Sequence, residues 1–244
     1  MVLATLPGVT LPRARTATRL ITHRAEHSMV AGVTEMPLTW SVVIPVKVLA
    51  RAKSRLAGLA GPARAELALA MAADTVRAAA ACPAVAAVFV VTDDPAAAST
   101  LSALGARVVA DEPDDGLNPA LAHGAAAAAA SRPDCGTAAL AADLPALRPA
   151  ELERGLRAAA QWPEAFVPDA EGTGTTLYAA RPGVAFWPRF GAGSAARYRE
   201  GGAAEIGLTD VPSLRSDVDT PAGLEAALSL GVGPRTAELA AQIR

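Results

Sequence analysis

The chain has 244 residues, of which 52% are hydrophobic and 4% aromatic, and its formal net charge is -2. This length allows one sizeable α/β domain or two small ones, with a core built mainly from Ala, Val and Leu. The near-neutral charge gives no support to a general nucleic-acid-binding protein, which would carry a basic excess. Any positively charged site must therefore be local.

Cysteine and histidine usage excludes several kinds of site. Cys82 and Cys135 stand far apart without metal-ligand spacing, and the chain has only three histidines. We therefore expect no disulfide framework, structural zinc site or histidine metal site. No uninterrupted apolar run approaches the roughly 18 residues of a membrane span. The sequence predicts a cytoplasmic protein that binds neither membrane nor nucleic acid.

Residues 1–38 differ in composition from the rest of the chain. They are rich in arginine and contain no acidic residue before Glu26. This composition resembles a transit peptide, but we favour a disordered extension or a start codon placed too early, because Met29 and Met36 lie closer to the domain. Residues 39–244 are predicted to form a single domain.

Short apolar runs alternate with alanine-rich stretches from Trp40 onward. In its first half, the pattern predicts a strand at 40–46, a helix at 62–82, strands at 87–94 and 106–112 with a helix between them, and a helix at 116–132. In its second half, it predicts a strand at 137–147, a helix at 149–160 and short strands at 165–170 and 175–180. Residues 214–228 are predicted as the end of a strand that enters a last helix. Such alternation indicates a Rossmann-like α/β domain with a mainly parallel sheet covered on both faces. Ligands of such sheets bind at the carboxyl ends of the strands, where most polar motifs of this chain fall.

Four cations, Lys47, Arg51, Lys53 and Arg55, follow the first predicted strand. Lysine and arginine neutralise phosphate charge, and arginine can bond two phosphate oxygens at once. Because the sequence has neither GxGxxG nor a P-loop there, side chains would have to hold a polyphosphate. On spacing alone, an ordinary solvated helix start is the more common interpretation of such a charge run.

Acidic residues form a second candidate site. Asp143 follows an apolar run, and Asp217 and Asp219 stand two residues apart, so in an extended segment they would point to the same side. Carboxylates suit Mg²⁺, which commonly opposes phosphate charge in nucleotidyl transfer. Alternatively, Asp219 belongs to the N-cap region of a helix that begins near Pro221.

Glycine-rich loops form the third candidate feature. Residues 169–176 combine Gly172 and Gly174 with threonines, which would let backbone amides approach a ligand, and FGAGS opens a predicted helix within 189–200. Unpaired amides at a helix start attract anions. Two such sites suggest two phosphorylated substrates, although two ordinary glycine turns would fit the spacing as well.

Seven motifs occur in order over residues 41–225: IPVKVLARAKSRLAG, VVTDD, DDGLNPAL, ADLPAL, PDAEGTGTT, FGAGSAARY and LRSDVDTPAGL. Together they resemble the guanylyltransferases of coenzyme F-420 biosynthesis that act on phosphoenolpyruvate or 2-phospho-L-lactate. The resemblance implies the Rossmann-like, three-layer nucleotidyltransferase fold with a mainly parallel mixed sheet. It also implies GMP transfer from GTP to the acid with Mg²⁺, release of pyrophosphate, and hand-off of the product to a downstream transferase.

The resemblance implies roles for individual residues. Contacts to the phosphorylated acid would come from Thr176, Gly191 and Ser194, and magnesium contacts from Asp143, Asp217 and Asp219. We assign the triphosphate to Lys47, Arg51, Lys53 and Arg55, the guanosine end to Asn118, and catalytic roles to Lys47, Lys53, Arg55 and Asp143. Tyr198 stands where the family often has histidine, which leaves an acceptor contact there open.

The choice of acceptor and the class of protein rest on further comparisons. An alanine-rich composition suggests a high-GC genome, for which we expect phosphoenolpyruvate as the acceptor. A molybdopterin or sugar-phosphate nucleotidyltransferase would usually have a glycine-rich loop after the first strand, and a nicotinamide oxidoreductase would have GxGxxG. A non-catalytic nucleotide-binding regulator would have less need of three metal-directed carboxylates. A homodimer is compatible with the sequence, but no motif supports one.

Overall fold

The computed structural model describes residues 37–47, 61–112 and 114–242. Their strands are β1 (Trp40–Pro45), β2 (Val85–Val91), β3 (Arg107–Val109), β4 (Gly136–Leu140), β5 (Glu164–Pro168), β6 (Thr175–Ala180) and β7 (Ala204–Glu205). Their helices are α1 (Gly61–Ala80), α2 (Pro95–Ser102), α3 (Leu117–Ser131), α4 (Pro149–Ala159), α5 (Ser194–Glu200), α6 (Pro212–Arg215), α7 (Pro221–Leu230) and α8 (Pro234–Gln242). Apart from its last two positions, the predicted N-terminal extension lies outside the described residues.

The strands form one mixed sheet in the order β3-β2-β1-β4-β6-β5-β7. Strand β1 runs parallel to β2 and β4, and β2 runs parallel to β3. Strand β6 is antiparallel to both of its neighbours, β4 and β5. A parallel pair needs a long crossover, whereas an antiparallel pair needs only a turn, so β5 and β6 are joined directly. The predicted mainly parallel mixed sheet is confirmed.

Helices cover both faces of the sheet and make three layers. On β1, the side chains of Val42 and Ile44 pack with α1, α2 and α4, while Val43 points to the other face and packs with α3. This is the alternation expected for a strand buried on both sides. Helix α3 lies so close to the sheet that a methyl group on Gly124 would collide with Val43 and Val91.

Two elements near the C-terminus differ from the sequence-based prediction. The predicted strand end at 214–228 is wrong, because Pro212 begins the short helix α6, whose Ser213 amide donates to the buried Glu151 carboxylate at 2.7 Å. Helix α8 was not predicted. Its first turn is capped by Asp74 of α1, which accepts from the Thr236 amide at 2.8 Å.

Within the described segments, no helix is long and apolar enough to cross a membrane.

Candidate active site

A cleft of about 670 Å³ opens at the carboxyl ends of β1 and β4. One group of lining residues, which we call the acidic wall, consists of Lys47, Asp143, Asp217 and Asp219. A second group, which we call the acceptor wall after its expected role, consists of Asp169, Thr173–Thr175 and Gly191–Ser194. This volume is typical of a small-molecule site, and the position is the one at which open α/β sheets bind ligands.

A backbone hydrogen bond joins the two segments that carry the acids. The amide of Val218 donates to the carbonyl of Asp143 at 3.0 Å, and the Val218 side chain is buried in a small core cluster. The residues on either side, Asp217 and Asp219, both line the cleft. Asp217 and Asp219 thus lie at one cleft, although their segment belongs to no strand, and their role as joint metal ligands stays a prediction.

Thr75 of helix α1 holds the turn that contains Asp143. Its buried hydroxyl accepts from the amide of Leu144 at 3.1 Å and lies 3.1 Å from the carbonyl of Ala142. The carbonyl of Met71 lies 2.9 Å from the same hydroxyl, within reach as an alternative acceptor. Because the Leu144 amide is bonded to this side chain and the Ala142 carbonyl lies beside it, the position of Asp143 at the cleft is supported from behind. Sequence reasoning missed this residue, which looks like an ordinary helix threonine.

The acids of this wall concentrate negative charge. Burial, together with the neighbouring charges of Asp143 and Asp219, raises the pKa of the Asp217 carboxyl from 3.8 to about 7. A cation would relieve this repulsion, and carboxylate oxygens are ligands that Mg²⁺ prefers, so the chemistry of the acidic wall suits this ion. In the described part of the chain, no three acidic, histidine or cysteine side chains are arranged to hold a metal by themselves. A bound Mg²⁺ would therefore draw other ligands from phosphate oxygens and water.

The acceptor wall carries hydroxyl groups and glycines. Ser194 donates to the Thr175 hydroxyl at 2.9 Å, and both residues line the cleft. Gly191 and Gly193 have φ angles of 114° and 70°, which side chains other than glycine rarely adopt. Thr176 does not line the cleft, and its hydroxyl is buried without a partner among the described residues.

The turn between β5 and β6 is held by Asp169. Its carboxylate accepts from the amides of Thr173 and Gly174 at 2.9 and 2.8 Å. The amide of Gly172 also donates to Asp169, at its carbonyl oxygen, at 3.1 Å, so the expectation that the amides of Gly172 and Gly174 approach a ligand is wrong. An aspartate that follows a strand and precedes a Gly/Thr turn is the sequence signal for such a side-chain-to-backbone hydrogen bond.

The remaining predicted residues lie in different places. Lys47 lines the cleft, whereas Arg51, Lys53 and Arg55 lie outside the described residues. Asn118, in the first turn of α3, bonds the backbone of Phe190 with its side-chain amide. Tyr198 is buried, and its hydroxyl accepts from the Arg189 amide at 2.7 Å. Tyr198 thus supports the loop behind the acceptor wall.

The sequence matches the family of CofC-like guanylyl transferases over residues 40–232. A phosphoenolpyruvate guanylyltransferase from Thermomonospora curvata is 67% identical over 206 residues, covering 84% of this chain and 90% of that protein. A protein of the same name from Streptomyces avermitilis is 61% identical over 207 residues, covering 84% and 96%.

Solved structures agree on the architecture. A putative nucleotide-diphospho-sugar transferase from Desulfovibrio desulfuricans superposes with a TM-score of 0.54 at 16% identity, covering 78% of this chain and 96% of that one. A nucleotidyl transferase from Methanothermobacter gives 0.51 at 20% identity, covering 79% and 97%. At such identities the likeness shows the fold alone, and it confirms the predicted fold class. The resemblance seen in the motifs is also confirmed: this chain is an enzyme of the nucleotidyltransferase class and belongs to the CofC-like guanylyl transferase family.

Proposed function

We propose that this enzyme transfers GMP from GTP to phosphoenolpyruvate, forming enolpyruvyl diphosphoguanosine and pyrophosphate in coenzyme F-420 biosynthesis. The observation that carries the proposal is that the acidic wall and the acceptor wall line one and the same cleft. The acidic wall suits a metal-bound polyphosphate, and the wall of glycines and hydroxyls suits a second, smaller anion. The acceptor is proposed from the relatives, which carry the name phosphoenolpyruvate guanylyltransferase.

The reaction needs positioning more than covalent chemistry from the protein. A phosphate oxygen of phosphoenolpyruvate attacks the α-phosphorus of GTP and forms a new P–O bond. The bond from the α-phosphorus to the α,β-bridging oxygen breaks, and its electron pair leaves with pyrophosphate. Because no protein nucleophile takes part, the rate depends on holding the two anions in line.

The side chains divide this task between them. Ser194 and the glycines of the acceptor wall would hold the phosphorylated acid, and Lys47 would face the triphosphate. Asp143, Asp217 and Asp219 would hold Mg²⁺. When bound, this ion offsets charge on the phosphates and on the departing pyrophosphate. Arg51, Lys53 and Arg55 remain assigned to the triphosphate by their sequence alone. Because GTP and phosphoenolpyruvate are the proposed substrates, we also propose that the enzyme is cytoplasmic. Its product would then pass to the next transferase.

The second candidate acceptor is 2-phospho-L-lactate, which carries the same carboxylate and phosphate groups. Pyrophosphate release from the purified enzyme with GTP and Mg²⁺ separates the two, with parallel reactions that contain either acid or no acid. We expect release with phosphoenolpyruvate and not without an acid. Preferential release with 2-phospho-L-lactate would replace the acceptor, and silence with both acids despite GTP binding would contradict the proposal. In that case a sugar or pterin phosphate becomes the acceptor to test, and failure of every acceptor would favour a nucleotide-binding regulator.

A further inference from the structure

The loop that carries the acceptor-wall glycines is held by side chains. We call residues 187–194 the acceptor loop, and its first four residues belong to no strand or helix. The Trp187 amide donates to the Tyr178 hydroxyl at 3.3 Å, and the Arg189 amide donates to the Tyr198 hydroxyl. Backbone groups that a sheet would normally pair are thus bonded by side chains from other elements.

Asn118 makes the most complete of these attachments. Its Oδ1 accepts from the Phe190 amide at 2.8 Å, and its Nδ2 donates to the Phe190 carbonyl at 3.2 Å. One side chain therefore replaces both hydrogen bonds that a neighbouring strand would make to this residue. Phe190 directly precedes Gly191, which lines the cleft.

Helix α3 connects Asn118 to the opposite half of the sheet. The buried residues Ala120 and Leu121 follow Asn118 and pack with Val43 of β1 and Val91 of β2. Strand β1 is the strand that leads to Lys47 at the acidic wall. The Asn118 amide is therefore one bonded link between the framework of the acidic wall and the acceptor loop, and it is the one that holds Phe190 to helix α3.

Arg197 also holds the acceptor loop, through bonds from its guanidinium to backbone carbonyls. Its guanidinium donates to the carbonyls of Ala192, Arg189 and Phe190 at 2.6, 2.9 and 3.3 Å. The Phe190 carbonyl is thus shared between Arg197 and Asn118, and both side chains act on the residue that leads into the glycines.

We propose that Asn118 is a positioning residue for the phosphorylated acid, in place of the guanosine contact expected from the sequence. By fixing Phe190 it sets the position of Gly191 and Ser194 relative to the acidic wall. The contact uses both the side-chain carbonyl oxygen of Asn118 and one of its side-chain N–H groups. Because the contact needs one hydrogen-bond acceptor and one donor, an amide side chain fits this position. The inference rests on the proposed function, because it assigns the acceptor loop to the acid.

Steady-state kinetics of Asn118→Ala test this role. Loss of two hydrogen bonds to the loop is expected to raise KM for phosphoenolpyruvate about 10- to 100-fold, with KM for GTP changed less than about 2-fold. Gln161→Ala, which removes an exposed amide in the turn after α4, is the matched control and should leave both constants unchanged. Asn118→Ser keeps a residue that suits a helix start but cannot reach Phe190, so it should reproduce the selective effect.

Amide hydrogen exchange of the substrate-free protein provides the second readout. Without Asn118, peptides that span the acceptor loop should exchange at least about 10-fold faster, while the peptides of α3 beyond its first turn stay protected. Unchanged exchange in the loop would overturn the positioning role, and so would a KM effect that falls on GTP or on both substrates equally. Wild-type protein inactive with either acid would instead contradict the proposed function. The exchange measurement would still decide whether Asn118 holds the loop.

Discussion

The amide of Val218 and the carbonyl of Asp143 are joined by a hydrogen bond of 3.0 Å, and this contact assembles the acidic wall. It brings a segment near the C-terminus to the turn after β4, with Val218 buried and an acid on each side of it. The charge of Asp143 therefore acts together with those of Asp217 and Asp219.

Replacing Asp143 with asparagine should reduce turnover by about 100-fold or more, equivalent to about 2.7 kcal/mol of transition-state stabilisation. The backbone contact to Val218 does not depend on the carboxylate, so the melting temperature should stay close to that of the wild type. Pyrophosphate release and calorimetry measure the two quantities, with Asp134→Asn, an exposed acid, as the control. Unchanged turnover would remove Asp143 from the site.

Thr75→Val tests whether the turn around Asp143 needs its support. The valine keeps the shape of the side chain but leaves the Leu144 amide without its acceptor, at a cost of about 1–3 kcal/mol in stability. We expect the turnover number to fall more than the GTP affinity. Thr75→Ser keeps the hydroxyl and should restore most of the activity. Equal turnover in the valine and serine variants would contradict a positioning role.

The raised pKa of Asp217 predicts a pH-dependent stability of the metal-free protein. The unfolded chain loses this proton near pH 4, and the folded protein loses it near pH 7. Between these values the folded state binds more protons, so the free energy of unfolding falls as pH rises, and the loss is complete above about pH 7. In the Asp217→Asn variant the side chain is neutral at every pH, so the free energy of unfolding does not fall in this way.

Calorimetry in the presence of EDTA measures this effect. Metal-free Asp217→Asn should melt on the order of 5 °C above the wild type at pH 8 and show no such gain at pH 4.5. Mg²⁺ should raise the melting temperature of the wild type more than that of the variant. An equal difference in melting temperature at pH 8 and pH 4.5 would argue against repulsion between a charged Asp217 and the neighbouring acids.

Ser194→Ala should raise KM for phosphoenolpyruvate about 10-fold and leave KM for GTP nearly unchanged. The substitution removes a buried hydroxyl from the acceptor wall and leaves Thr175 without its partner. Ser229→Ala, on the exposed side of α7, is the matched control. An equal effect on both substrates would show that the two anions do not occupy separate walls.

Asp74→Ala should lower the free energy of unfolding by about 2 kcal/mol, because the buried carboxylate caps helix α8 at the amides of Arg235 and Thr236. Urea unfolding measures this change, and hydrogen exchange should show faster exchange of the α8 amides. Asp210→Ala removes an exposed acid that pairs with Arg154 and should cost less than about 1 kcal/mol. Full protection of α8 in the Asp74 variant would contradict the cap.

The apolar periodicity of the sequence predicted most of the sheet but not the short edge strand β7. The run from Trp40 to Ile44 is continuously buried, as a strand covered on both faces requires. Helix α8 could not be predicted in this way, because its cap comes from Asp74, far away in the sequence. A local pattern does not contain a tertiary cap.

The site was predicted in part for similar reasons. The i, i+2 spacing placed Asp217 and Asp219 on one side of the chain, although it did not reveal that Asp143 holds them there. The resemblance assigned a contact with the acid to Thr176, whereas the neighbouring Thr175 lines the cleft. Because successive strand residues point to opposite faces, an assignment that is wrong by one residue leaves the cleft. The loop support from Asn118 connects residues distant in sequence, which spacing alone cannot show.

The reversed direction of β6 has a consequence for how the family can diverge. Because β5 and β6 are joined by a turn, every residue of the acceptor wall falls within one continuous stretch, residues 164–200. The acidic wall is assembled from segments that begin at Lys47 and end at Asp219. A change of acceptor can therefore be inherited as a single short block of the gene, while the metal-directed half requires coordinated substitutions along almost the whole coding sequence.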